Sequence, residues 1–179
     1  LYRPFLTPYI YYVDDVTVKD AEGKEYEFKI IGDADESKIE YNGETISRSK
    51  FKDFYQYLLS AHAEEIYIDP LTPDNKFVGG FTYDYREDEE GEDIVEFYSS
   101  EQDRTCIIVV NGDVRYKVRQ MYATRLLQNL EALITGGTIM DEYQKFGTNT
   151  VVNMFGKPKS YKEILCDVSK KMNVKFDED

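Results

Sequence analysis

Apolar residues along this chain recur with two periods, and the same order of periods is written twice. Alternation of period two marks Asp15-Val16-Thr17-Val18-Lys19 and Tyr26-Glu27-Phe28-Lys29-Ile30, with Glu22-Gly23-Lys24 as the turn between them. Val16 and Val18 oppose Thr17 and Lys19, while Tyr26, Phe28 and Ile30 oppose Glu27 and Lys29, so each predicted strand has one apolar face. Ile39-Glu40-Tyr41 then leads into Asn42-Gly43 and a helical run from Arg48 to Ala63. The second pass runs through Phe81-Thr82-Tyr83-Asp84-Tyr85, a turn around Gly91, and Ile94-Val95-Glu96-Phe97-Tyr98. It continues with Ile107-Ile108-Val109-Val110, Asn111-Gly112 and a helical run from Met121 to Ile134. Each unit reads strand, turn, strand, strand, Asn-Gly turn, helix. Asn-Gly favours type I′ turns because both central residues accept positive φ.

The helices switch the period to 3.6. Phe51, Phe54, Tyr55, Leu58 and Leu59 fall on one stripe, with Lys52, Asp53 and Gln56 opposite. Ser47 or Ser49 is placed to cap the start by accepting a backbone N–H. Ala123, Leu126, Leu127, Leu130, Leu133 and Ile134 make the second stripe, which Gly136-Gly137 ends. A third helix is predicted after Pro158, where Ser160 and Glu163 form a capping box ahead of Ile164, Leu165, Val168 and Met172. Between the units, Asp69-Pro70-Leu71-Thr72-Pro73-Asp74-Asn75 reads as a linker. After Gly137 the pattern breaks, with a candidate strand at Thr150–Phe155 and a short Asn173-Val174-Lys175-Phe176 tail.

Antiparallel hairpins with one wet face and helices on the other predict an α+β layered fold. The expected organisation is an aromatic segment over 1–12, a first unit over 13–69, a second over 76–137, and a strand-helix extension over 138–179 with a basic amphipathic helix.

Composition narrows the function classes. The 179 residues suffice for one well-cored domain or two small ones, and 41% apolar with 15% aromatic residues argues against disorder. No apolar run approaches the length of a membrane span. Leu1 in place of Met is the expected mark of a processing site or an artificial boundary, with a targeting segment removed. A net charge of -13, with neither a glycine-rich phosphate loop nor an arginine stripe, argues against nucleic acid as partner. Charge is uneven: carboxylates crowd Asp84 to Asp103, where Arg86 is the single base, and Lys157, Lys159, Lys162, Lys170 and Lys171 make the end basic. That strip either meets anionic lipid or an acidic surface, or offsets the chain's own carboxylates.

The segments Tyr41-Asn42-Gly43-Glu44 and Phe51-Lys52-Asp53-Phe54-Tyr55-Gln56-Tyr57-Leu58-Leu59-Ser60-Ala61 resemble the domain of unknown function 4340 family. So do Val95-Glu96-Phe97-Tyr98, Cys106-Ile107-Ile108-Val109-Val110-Asn111-Gly112 and Leu126-Leu127, and the similarity spans Val13 to Gly137. Its motifs are structural, not catalytic. Members are bacterial proteins held outside the cytoplasmic membrane by an N-terminal anchor, some encoded beside ABC-type export or gliding-associated components. The resemblance implies an extracytoplasmic accessory domain, membrane-anchored in the full-length protein, with transporter subunits as partners. The chain departs from that pattern in lacking the anchor and in its lysine-rich end.

Direct search for chemistry assigns no catalytic, cofactor-binding or metal-ligating residue. His62 is the single histidine, so any Ser-His-Asp or Cys-His arrangement must pass through it. It is expected at the end of the first helix, where a cation favours the dipole. One histidine and two distant cysteines do not make a zinc ligand set. Cys106 reads as a small apolar residue of a buried strand and Cys166 lies in the last helical run, and their pairing is left open. Asp88-Glu89-Glu90-Gly91-Glu92-Asp93 lacks the ligand spacing of a calcium loop and reads as an exposed hairpin tip. Tyr2, Tyr9, Tyr11 and Tyr12 crowd the N-terminus with Phe5, and Tyr83 and Tyr85 join them from the sheet. Tyrosine buries a ring while its hydroxyl stays wet, which suits an interface or a sugar platform as well as plain packing. Two classes follow: a non-enzymatic binding or scaffolding domain with a protein partner, and a soluble carboxylate-dependent hydrolase whose acid/base pair only spatial separation would reveal.

Overall fold

The computed structural model describes residues 8–33, 36–86, 91–101 and 104–142. The chain falls into two compact units, Leu1–Ile139 and Met140–Asp179, and the elements below all belong to the first. Among the described residues nine strands form one continuous antiparallel sheet accompanied by two α-helices, an α+β fold.

The strands are β1 (Val13–Lys19), β2 (Glu25–Ile31), β3 (Lys38–Tyr41), β4 (Glu44–Ile46), β5 (Glu65–Ile66), β6 (Phe77–Tyr85), β7 (Glu92–Ser99), β8 (Thr105–Val110) and β9 (Asp113–Arg119). Their order across the sheet is β4-β3-β2-β1-β6-β7-β8-β9-β5. Within β1–β4 and within β6–β9 consecutive strands pair through short connections, because antiparallel partners need only a hairpin between them, while β1 pairs with β6 and β5 with β9. Asn42 and Asn111 both take the positive φ that a two-residue hairpin needs (51° and 50°). Those turns lead not directly to helices, as the sequence suggested, but into β4 and β9. Short and partly polar, Glu44-Thr45-Ile46 gives little alternation to read, and in Val114-Arg115-Tyr116-Lys117-Val118 two bases interrupt the apolar residues.

Helix α1 (Arg48–Leu59) starts at Ser47, whose hydroxyl accepts from the Lys50 amide at 3.3 Å. It stops four residues before the expected Ala63. The Ser60 hydroxyl donates back to the Tyr57 carbonyl at 2.6 Å, and the chain must then turn to place the Glu64 amide on the Lys117 carbonyl. His62 therefore lies three residues beyond the helix rather than in its last turn. Helix α2 (Gln120–Thr135) ends at Gly136 in the left-handed conformation, φ 80°, as the Gly-Gly pair predicted.

Both helices share one face of the sheet, and the core lies between. Phe28 of β2 meets Phe51 and Phe54 of α1 at ring separations of 5.9 and 6.2 Å, and Phe97 of β7 meets Tyr122 of α2 at 5.5 Å. Val16, Val18, Phe81, Tyr83, Val95, Ile108, Leu58, Leu126 and Leu130 are all buried there, matching the predicted apolar faces. Cys106 is a free, buried thiol of β8. The predicted strand at 150–155, the capped helix, Cys166, the C-terminal lysines, Tyr2, Phe5 and the hairpin tip at 87–90 lie outside the described residues.

Candidate functional site

Three places gather polar or aromatic side chains with exposure. The first is the N-terminal segment. Pro8 to Tyr12 lies against α1, held where the Tyr55 hydroxyl donates to the Pro8 carbonyl at 2.6 Å. The Arg86 amide donates to the Tyr12 carbonyl at 2.9 Å on the other side, and a single helical turn over Ile10–Tyr12 bends the chain between these anchors. The bend leaves Tyr9 71% exposed, with Tyr11 and Tyr12 about half exposed, and sets Tyr9 edge-on to Tyr12 at 6.2 Å. A groove of about 470 Å³ opens between this segment and α1, lined by Tyr9, Tyr11, Lys52, Tyr55, Gln56 and Leu59. That is the size and composition of a ligand or peptide cleft: apolar walls with a few polar groups at the rim.

Not every tyrosine predicted for an interface is there. Tyr83 is fully buried, 5.7 Å from the Tyr55 ring, so it belongs to the core. Burial pushes its hydroxyl, and that of Tyr55, well above the usual tyrosine range, so both stay protonated; the Tyr55 hydroxyl donates to Pro8, while the buried Tyr83 hydroxyl has no hydrogen-bond partner among the described residues. Tyr85 is half-buried and donates to the Asp93 carboxylate, which lies in β7 rather than in the predicted acidic tip.

The second place is the sheet face away from the helices. Pairing register puts Lys29, Asp15, Asp84 and Glu92 in one row across β2, β1, β6 and β7. Burial, then the Glu27 and Asp84 charges, hold the Asp15 carboxyl above its ordinary value. Burial, then a hydrogen bond and like charge from Glu92, do the same for Asp84. Such a row keeps a proton longer than isolated carboxylates do, which is the property an acid/base pair needs. None of the three cavities described in this section is lined by it.

The third is a cavity of about 280 Å³ beside the start of α2, reached by Ser99, Thr105, Cys106, Gln120 and Thr124. Burial pushes the Cys106 thiol up to about 11, so it remains a thiol at neutral pH rather than a nucleophilic thiolate. A shallower groove of about 380 Å³ runs between α2 and the β1–β2 hairpin past Asp20, Tyr26, Leu130 and Glu131. His62 is half-buried in the connection from α1 to β5. Among the described residues no three of His, Cys, Asp and Glu are grouped to hold a metal ion, and no helix is long and apolar enough to cross a membrane.

Sequence reading missed two arrangements. Lys117 is buried on the open face, its ammonium 3.3 Å from Glu65 and 4.6 Å above the Tyr67 ring. Alternation in Val114–Val118 hints at a strand, but nothing local says that Glu65 and Tyr67 arrive beside it. Tyr57 lies off the predicted α1 stripe and is nevertheless buried, because α2 packs there.

No family model matches the chain, and no curated protein or solved structure is detectably similar to it.

Proposed function

We propose that this chain is a binding or scaffolding domain whose N-terminal tyrosine groove receives a segment of a protein partner. The observation that carries the reading is the pair Tyr9 and Tyr11, exposed at 71% and 51% beside an open groove while anchored on both flanks. Exposed tyrosines with restricted backbones bind at low entropic cost, and such rings are enriched at interfaces. The domain is built from two related units, β1 to β4 with α1 and β6 to β9 with α2, joined at the central β1–β6 pair. Its setting is that implied by the resemblance over Val13 to Gly137: an extracytoplasmic accessory of a bacterial membrane assembly, with ABC-type transporter subunits as partners. A photo-crosslinker placed at Tyr11 in the full-length protein in cells tests this. Crosslinks to a membrane-assembly subunit, lost on Tyr9→Ala, are expected. Absence of any crosslinked protein would overturn the partner reading.

The Asp84–Glu92 pair favours a second reading, a carboxylate-dependent hydrolase working on the open sheet face. Turnover in a hydrolase screen that Asp84→Asn abolishes, with the fold intact, would replace the first reading by this one.

A further inference from the structure

We infer that the outer edge of β5 is a docking site for an extended basic segment of another protein, which pairs antiparallel as a tenth strand. β5 ends the sheet order, so one side of its backbone has no strand neighbour in the described structure. Its pairing to β9 extends past the two strand residues, from the Glu64 amide on the Lys117 carbonyl at 2.8 Å to the Tyr67 amide on the Arg115 carbonyl at 2.7 Å. Backbone bonds thus tie the edge to β9 from Glu64 to Tyr67. Ile66 and Ile68 stand on it 63% and 78% exposed, the two most exposed aliphatic side chains described. Ile66 lies opposite Tyr116, whose ring packs on the core, so alternation puts both isoleucines on the helix side. The opposite edge is blunted instead: β4 exposes Glu44 and Thr45 and turns Ile46 toward the core.

Charge selects the occupant. β9 carries Arg115, Lys117 and Arg119, and β5 answers with acids, Glu65 3.3 Å from Lys117 and Glu64 3.0 Å from Arg119. Basic strand, acidic strand: the next strand outward is matched by lysines or arginines alternating with apolar residues, since opposite charges across a strand pair stabilise and like charges do not. Apolar residues of that strand meet Ile66 and Ile68, and its cations meet Glu65 and Asp69. A second copy of this chain fits badly, because antiparallel self-pairing about Tyr67 sets Glu65 against Asp69. Recognition of this kind takes affinity from main-chain hydrogen bonds and specificity from alternate side chains.

The test uses the whole chain with a short peptide of alternating lysine and valine, followed by amide resonances. A chain of charge -13 attracts any cation, so the control is the same peptide N-methylated at alternate residues, equal in charge but unable to pair. Expected are shifts centred on residues 64–69, binding roughly tenfold weaker for the methylated peptide, and a similar loss in the exposed-site variant Ile68→Lys. Equal binding of the two peptides, or shifts elsewhere, would overturn the site. Concentration-dependent dimerisation without peptide that Ile68→Lys abolishes would assign the edge to a second copy instead. Because β5 and the tyrosine groove share no residue, Tyr9→Ala leaves peptide binding unchanged.

Discussion

Tyr57 and Tyr122 hold the two helices together by a reciprocal exchange. Their rings stack 5.1 Å apart and nearly parallel, at 7°, while the Tyr57 hydroxyl donates to the Tyr122 carbonyl at 2.7 Å and the Tyr122 hydroxyl donates to the Leu58 carbonyl at 2.8 Å. Both residues are buried, so neither carbonyl has water to fall back on if a hydroxyl is removed. Tyr57→Phe and Tyr122→Phe should each destabilise by about 1–3 kcal/mol, the cost of a buried polar group left without its partner. Because the two bonds fix the same contact, the double variant should cost less than the sum. Urea midpoints of the two single variants and the double test both points. Strict additivity would show that the rings act independently.

At Gly80 the sheet is closed so tightly that no side chain fits. A Cβ there would drive into the Val95 carbonyl oxygen across the β6–β7 pair, and that obstacle is backbone, which cannot rotate away. Gly80→Ala should therefore cost about 1–3 kcal/mol or more as overpacking. Thermal unfolding of Gly80→Ala against wild type provides the measurement, and an unchanged midpoint would refute the close approach.

How much of this was legible beforehand depends on the range of the interaction. Period-two alternation placed Val16, Val18, Phe28 and Phe81 on the core side, and the α1 stripe found Phe51, Phe54 and Leu58, because each pattern is local. The α+β class followed from those periods. Continuity of the sheet did not, since the β1–β6 pair joins residues 61 to 72 apart, and no local pattern encodes that register. Tyr57 and Lys117 were missed for the same reason: a tyrosine off the stripe and a lysine in a strand both predict exposure until α2 and β5 cover them. In the site, the crowding of Tyr9, Tyr11 and Tyr12 is compatible with an interface and with plain packing alike, and Tyr83, which looks the same in sequence, is core.

Cys106 should be inert in the folded protein. It is 2% exposed and burial raises its thiol to about 11, which removes both access and thiolate. Modification by a thiol reagent at pH 8 should be slow in buffer and rapid in denaturant, read at Cys106 by peptide mapping so that Cys166 does not confuse the result. Fast labelling of Cys106 without denaturant would show that the β8 environment opens.

The carboxylate row on the open face sets a pH dependence with a definite sign. Asp15 and Asp84 both have folded-state values raised above the ordinary 3.8, so in that window the folded chain holds more protons than the unfolded one. By linkage, stability then falls as pH rises from 3.8 through the raised values, and above that window both groups act as destabilising charges. Self-repulsion of the whole acidic surface has the same sign, so the wild-type profile alone does not isolate the row. Asp84→Asn does: it removes one like charge facing Glu92 and leaves the surface otherwise intact. Melting temperature should rise in Asp84→Asn at pH 7, and the difference from wild type should shrink as pH falls through the raised folded value and on below 3.8, where Asp84 becomes protonated in the folded and the unfolded chain alike. Scans across that range at fixed ionic strength supply the comparison. A variant equal to wild type at pH 7, or a difference that grows on acidification, would mean that burial and the neighbouring Glu92 and Asp14 carboxylates do not disfavour the Asp84 charge.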